Sequence, residues 1–167
     1  VQTMAYEPML LMVALGFYLA SGSFSVGDIL TGAHMNILRM PGIFFGLCFI
    51  LLIKFRKSPF DISMSHEAHQ ELIGGLKTEI SGRTLAVVEI AHWYENVFLF
   101  GLVLLFFASD TWWTWLLGLA ICEIVFFAEI LIDNCCARIK WERMLASTWL
   151  VGLMAGFLNI AFLMYFK

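Results

Sequence analysis

The sequence TLAVVEIAHWYENVFLFGLVLLFFA at residues 84–108 decides the fold. It is long enough for a membrane crossing, because a hydrocarbon core about 30 Å thick needs about 20 mainly apolar residues. It nevertheless carries Glu89, His92 and Glu95. Ionisable groups are expensive in hydrocarbon and are rare there unless they are paired, protonated or hydrated. The stretch therefore predicts a transmembrane helix with a polar function.

The composition extends this interpretation to the whole chain. Of the 167 residues 61% are hydrophobic and only 14% are charged, with a mean hydropathy of +0.86. A soluble domain would be about 45–50% apolar. We expect an all-α fold, a polytopic transmembrane helical bundle that forms a single domain over residues 1–167, with about five crossings. The predicted crossings are residues 5–20, 42–53, 84–108, 112–132 and 144–166.

The sequence contains no pattern that is typical of binding to nucleic acid, a metal ion or a phosphate group. The net charge is −3 and no basic patch indicates nucleic acid. The cysteines form no CxxC spacing, and HEAHQE at residues 66–71 departs from the HExxH pattern of zinc helices. No Gly-rich phosphate loop is present. We therefore expect no catalytic residue, no metal and no cofactor on this chain.

The positive charges predict the orientation. Eight of the ten Lys and Arg residues lie in two connections, residues 54–83 and 133–143, on one side of a five-helix arrangement. Cytoplasmic connections carry the excess of positive charge. We expect a multi-pass protein of the cytoplasmic membrane with the connections 54–83 and 133–143 in the cytoplasm.

The ionisable residues of the third crossing are the first candidates for function. At about 100° per residue, Glu89, His92 and Asn96 lie within about 60° of one another, and Glu95 points to a neighbouring sector. Such a polar side could line a hydrated path along which a proton moves between carboxylate and imidazole. Alternatively, these groups only hold helices together through hydrogen bonds.

Two acids of the fourth crossing are further candidates. Glu123 is expected deep in the helix and is the stronger candidate for an ion pathway. Glu129 lies one turn before Asp133 near the helix end, where a solvated pair is expected.

The connection 54–83 contributes a third group of acids. Glu67 and Glu71 are four residues apart, so they share one face of a short helix and their repulsion favours sharing of a proton. The alternative is an ordinary solvated loop. The candidates in this connection are Asp61, Glu67, Glu71 and Glu79, with His69 as a less certain one.

Four motifs in order resemble one known family. QTMAYEPMLLM at residues 2–12 is followed by KSPFD at 57–61, EAHQELIGG at 67–75 and LKTEISG at 76–82. The series is similar to the complex I component, known as the 1/H subunit, that joins the membrane arm to the peripheral arm. That family shows a YE pair, an APFD turn, an EAESEL stretch and a TEYSG segment. The resemblance covers nearly the whole chain but corresponds to the C-terminal part of the family, so we expect its N-terminal helices to be missing.

The resemblance implies roles for five acids. Glu7 matches the glutamate of the YE pair, and Asp61 matches the aspartate of the PFD turn. Glu67 and Glu71 match acids of EAESEL, and Glu79 matches the acid of TEYSG. In the family such carboxylates relay a redox event to ion movement. His69 replaces a family carboxylate.

Three departures from the family pattern resemble one branch of it. His69 replaces a carboxylate, and the spacing between PFD and EAHQELIGG is longer than in the quinone-reducing enzymes. The helix after TEISG also carries Glu89, His92 and Glu95 in an arrangement of its own. Such changes are similar to the homologous subunit of energy-converting, membrane-bound nickel-iron hydrogenases, including the formate hydrogenlyase type.

The resemblance to this branch implies a function and partners. The chain would link ferredoxin-driven hydrogen evolution to proton or sodium transport. Its partners in a hetero-oligomer would be the hydrogenase large and small subunits, which carry a nickel-iron site and iron-sulfur clusters, and antiporter-like membrane subunits. The alternatives are the quinone-cavity subunit of a complex I-like oxidoreductase and a purely structural membrane anchor.

Overall fold

The structure is a computed structural model that describes residues 2–32, 35–55, 60, 80–137 and 139–165. Every regular element in these ranges is helical, which confirms the all-α fold. The helices are α1 (Gln2–Ser21), α2 (Val26–Leu30), a 3-10 turn (Asn36–Leu38), α3 (Pro41–Lys54), α4 (Gly82–Phe107), α5 (Trp112–Cys135) and α6 (Trp141–Tyr165).

The five predicted crossings correspond to five apolar helices of unequal length. Three of them, α4, α5 and α6, are long and apolar enough to span a membrane, and α1 and α3 contribute shorter apolar stretches. These helices make the chain a multi-pass membrane protein. Helix α3 has 14 residues and is about 21 Å long, so it is shorter than a hydrocarbon core of about 30 Å.

Helices α1, α3 and α6 pack into a three-helix bundle through glycine contacts. A Cβ at Gly46 of α3 would overlap Met9 of α1, and a Cβ at Gly16 would come within 2.6 Å of Ile43. The first residues of α1 therefore lie beside the last turns of α3, so the two helices are antiparallel. Small residues let membrane helices approach closely where dispersion forces hold them together.

Helices α4 and α5 form an antiparallel hairpin. Gly118 of α5 contacts Leu104 near the end of α4, and Cys122 Sγ lies 3.6 Å from the carbonyl oxygen of Phe100. The connection between them is fixed by Ser109, whose backbone N–H donates to Thr114 Oγ1 at 3.1 Å. The hydroxyl of Thr114 thereby satisfies a buried backbone donor of the connection, which lies outside both helices.

The hairpin is anchored to the bundle by aromatic contacts at one end of the molecule, here called the upper end, which contains Ser21, Pro41, Phe107 and Trp112. There Phe106 is fully buried with its ring centroid 4.8 Å from that of Phe17 and 5.3 Å from that of Phe44. Asn36 Nδ2 also donates to the carbonyl oxygen of Leu105 at 3.3 Å. The end of α4 is therefore anchored to the bundle.

The opposite end, here called the lower end, contains the start of α4, the end of α5 and the start of α6. Between this end and the middle of the molecule, Met144 of α6 is buried in a cluster with Ala5, Ile53 and Phe60. Arg39 lies at the upper end, where its backbone carbonyl accepts a hydrogen bond from Asn159 Nδ2 at 3.2 Å. The placement in the cytoplasm of the connections at the lower end stays a prediction from charge alone.

Candidate functional site

An ion pair between two helices lies at the centre of the candidate site. Lys54, the last residue of α3, contacts Glu95 of α4 through its ammonium group. Glu95 lies at the middle of the 26-residue helix α4. The pair joins the bundle to the hairpin below the aromatic contacts of the upper end.

Two further side chains complete the site, here called the Lys54–Glu95 cluster, which consists of Tyr6, Lys54, His92 and Glu95. The ammonium group of Lys54 lies 4.0 Å from the ring centroid of Tyr6 on α1. A cation over an aromatic face is attracted by the quadrupole of the ring. His92 Nδ1 lies 3.8 Å from Glu95 Oε2, one turn away on the same helix. The cluster thus draws on α1, α3 and α4.

The depth of the cluster follows from the length of α3. Lys54 lies 13 residues, or about 20 Å, below Pro41 at the upper end. An ammonium group at such a depth needs a counter-charge, because charged side chains inside a membrane are found paired or facing water. Glu95 supplies that charge, and the early end of α3 brings Lys54 to its level.

Exposure increases across the cluster from the lysine to the acid and the imidazole. The side chain of Lys54 is 13% exposed, whereas those of Glu95 and His92 are 38% and 34% exposed. Phe55, the residue after Lys54, stacks on Phe100 of α4 with 5.2 Å between the ring centroids. The carboxylate of Glu95 and the imidazole of His92 are therefore partly accessible at the protein surface, whereas the side chain of Lys54 is mostly buried.

The arrangement can store and release a proton. A carboxylate beside an ammonium group is held ionised, because protonation of Glu95 would leave the charge of Lys54 unpaired in a medium of low dielectric constant. The imidazole of His92 is the neighbouring group that can accept or donate a proton. A separation of 3.8 Å exceeds a hydrogen bond, so direct proton exchange between His92 and Glu95 requires one side chain to rotate.

The structure adds Glu95 to the polar side that the sequence predicts for α4. The sequence grouped Glu89 and His92 with Asn96, but the structure brings Glu95 to His92 and leaves Asn96 exposed. Glu89 is half-buried one turn before His92. The helical wheel gave the angles correctly, yet it could not show that the sector of Glu95 faces α3.

Of the two candidate acids of α5, one lies as predicted and the other does not. Glu123 lies at the middle of the helix, as predicted, on an exposed face of the hairpin. Glu129 is only 3% exposed and Asp133 is half-buried. The prediction of a solvated pair near the helix end is therefore wrong for Glu129, because its turn of α5 faces the interior.

The remaining predicted acids separate into two groups. Glu7 is exposed on α1 next to Tyr6. The candidates of the connection 54–83 lie outside the described residues, and their roles stay predictions; they are Asp61, Glu67, His69, Glu71 and Glu79.

Within the described ranges no group of three or more His, Cys, Asp or Glu residues is placed to hold a metal ion.

Sequence reasoning missed Tyr6 and Lys54 as parts of the site. The charge pattern assigns Lys54 to a cytoplasmic connection, but it is the last residue of α3 and is mostly buried. A lone lysine directly after a run of twelve apolar or glycine residues, 42–53, was the available signal. Such a lysine can end a helix inside the membrane as well as outside it.

Comparison with known sequences places the chain. The family model described as NADH dehydrogenase matches residues 1–164. The chain belongs to the NADH dehydrogenase family. The match confirms the predicted family, which is that of the 1/H subunit. The nickel-iron hydrogenase branch stays a prediction.

Several relatives of the chain are named as subunits of NADH-quinone or NADH-ubiquinone oxidoreductase. The NADH-quinone oxidoreductase H subunit of Syntrophotalea carbinolica is 26% identical over 95% of this chain and 49% of its own length. An H subunit of the same enzyme in Cereibacter sphaeroides, numbered 2, is 28% identical over 95% of this chain and 51% of its own. NADH-ubiquinone oxidoreductase chain 1 of Pongo pygmaeus is 27% identical over 66% and 34%.

The chain spans about half the length of the first two relatives. No solved structure matches it significantly.

Proposed function

We propose that this chain is the membrane subunit that couples redox chemistry to ion movement in a complex I-like oxidoreductase of the cytoplasmic membrane. Its membership of the NADH dehydrogenase family supports the class of complex. The observation that carries the coupling role is the Lys54–Glu95 ion pair, which lies deep in the helical part of the chain beside a half-exposed histidine. The chain supplies no electron carrier; partner subunits hold the redox centres, and this chain contributes to the quinone cavity.

The proposed mechanism is electrostatic. In the resting site Lys54 keeps Glu95 ionised. A negative charge that arrives near the site on reduction favours protonation of His92 and Glu95. At about 15 Å and an effective dielectric constant of about 20, one unit charge contributes about 1 kcal/mol, or about a sixfold change in proton occupancy. A larger effect requires the reduced group to approach the site or water to leave it.

Proton movement then follows from the balance of charge. When protonated His92 passes its proton to Glu95, a neutral imidazole and a neutral carboxyl group result, and Lys54 loses its counter-charge. The ammonium group can stay over the ring of Tyr6, which lies 4.0 Å away and partly compensates the loss. Removal of the negative charge restores the ion pair and releases the proton.

The test separates electron transfer from ion movement in the assembled complex. In proteoliposomes that contain the purified complex, we expect Glu95→Gln to retain electron transfer and to reduce proton or sodium uptake per electron at least about tenfold, as for loss of a relay group. The matched control is Glu142→Gln, an exposed acid in the first turn of α6. If uptake per electron is unchanged in Glu95→Gln, the chain is an anchor and the coupling role is rejected.

The sequence favours a second candidate in which a hydrogenase replaces the quinone reductase. The observations in its favour are His69 in place of a family carboxylate and the long spacing after the PFD turn. Under this alternative the partners are hydrogenase subunits with a nickel-iron site and iron-sulfur clusters, together with antiporter-like subunits. Nickel in the purified complex and turnover with ferredoxin and hydrogen would favour it, whereas turnover that depends on an added quinone would reject it.

A further inference from the structure

A groove between α4 and α5 lies apart from the Lys54–Glu95 cluster. It is an open cavity of about 490 Å³. Its lining is apolar apart from one carboxyl group and one thiol, and consists of Val97, Phe100, Gly101, Leu104, Leu119, Cys122, Glu123 and Phe126. At Gly101 an added Cβ would meet nothing within 4 Å, so the floor of the groove has room for another chain.

The acid of the groove lies too deep for a lipid headgroup. Glu123 is at the middle of the 24-residue helix α5, about 18 Å from either end. The charged part of a phospholipid stays outside the hydrocarbon core, about 15 Å from the bilayer centre. An acyl chain could fill the apolar groove, but it offers nothing to a carboxylate. A proton, water or a protein side chain can compensate Glu123 at this depth, and of these only a side chain carried by another helix also fills the apolar groove.

This chain offers no such side chain within its described ranges. Glu123 forms no ion pair there, and Lys54 already contacts Glu95. The side chain of Glu123 is exposed rather than folded against a neighbouring helix. The acid therefore points to a partner outside this part of the chain.

We infer that the groove receives a transmembrane helix of another subunit, and that this helix carries a Lys, Arg or His side chain at the level of Glu123. The inference rests on the proposed function only in requiring a complex with partner subunits. The apolar walls and Gly101 accommodate the helix, and the opposite charge sets its register along the groove. A basic side chain inside a membrane is otherwise as costly as the acid, so each group stabilises the other.

The experiment places a photo-activated crosslinking amino acid at Leu119 of the chain in the assembled complex within native membranes. Leu119 lines the groove and is 55% exposed. The matched control is Leu158 on α6, which is 65% exposed and lies outside the groove. We expect Leu119 to form an adduct with a membrane-spanning segment of one partner subunit, within about one helical turn of a basic residue. Mass spectrometry of the adduct identifies the residue.

Charge variants test the ion pair itself. Glu123→Lys should reduce the Leu119 adduct at least about tenfold, because truncating or reversing one member of a buried charge pair strongly weakens association. Glu123→Gln should reduce it less. Exchange of the identified basic residue for Glu in the Glu123→Lys background should restore the adduct, which a merely structural defect would not allow.

The outcomes are distinct from those of the proposed function. Adducts with lipid alone at Leu119, or a protein adduct that Glu123→Lys leaves unchanged, would overturn the inference even if the complex reduces quinone. A basic helix at Leu119 in a complex without redox subunits would support the inference and reject the proposed function.

Discussion

The bundle of α1, α3 and α6 is held together by close apolar packing, whereas the hairpin of α4 and α5 carries several acidic side chains. In the bundle, glycines bring the backbones close and the helices meet through apolar side chains such as Met9 and Ile43. The hairpin carries Glu89, Glu95 and Glu123 and is anchored to the bundle by aromatic contacts at the upper end. The difference teaches that this chain divides stability from chemistry: the bundle supplies a tight support and one cation, Lys54, and the hairpin presents the acids.

The strongest test of this separation removes the aromatic contact between the two parts. Phe106 is fully buried between Phe17 and Phe44. We expect Phe106→Ala to lower the free energy of unfolding by about 3–5 kcal/mol, through lost contacts and the cavity left behind. Steric trapping of the purified protein in bicelles would measure it. Phe127→Ala, at a position 68% exposed, is the control and should change little. Equal losses in the two variants would show that the contact does not hold the parts together.

A smaller effect is expected inside the bundle. A Cβ at Gly42 of α3 would lie 2.8 Å from the carbonyl oxygen of Ala155 on α6, a backbone atom that cannot rotate away. We expect Gly42→Ala to lower the free energy of unfolding by about 1–3 kcal/mol. Gly101→Ala on the hairpin, where the new atom meets nothing within 4 Å, should be neutral or slightly stabilising in the same measurement. If Gly101→Ala is as destabilising as Gly42→Ala, close packing does not distinguish the two parts.

The helices could be predicted because apolar runs long enough to cross a membrane leave few alternatives. The crossing predicted at residues 112–132 corresponds to the helix Trp112–Cys135, and the one predicted at 84–108 corresponds to the helix Gly82–Phe107. The polar ends of these helices extend beyond the apolar runs, since backbone hydrogen bonds continue where the hydrophobic pattern stops. The motifs likewise sufficed for the family, because they lie in order along the chain.

The partners of the acids could not be predicted from the sequence. Lys54 and Glu95 are 41 residues apart, and their contact depends on where α3 ends relative to α4. That level is set by Phe106 and by the glycine contacts of α3, which are properties of packing. The prediction for Glu129 fails for the same reason, because a position near a helix end does not reveal which sector of the helix faces the interior.

The protonation state of Glu95 during turnover tests the proposed coupling most directly. Infrared difference spectroscopy of the assembled complex, oxidised against reduced, would detect the carbonyl stretch of a protonated carboxyl group. We expect a carboxyl band that appears on reduction, is absent in Glu95→Gln and persists in the control Glu142→Gln. A band that persists in Glu95→Gln, or no carboxyl change on reduction, would contradict the claim that the Lys54–Glu95 cluster links the redox event to proton movement.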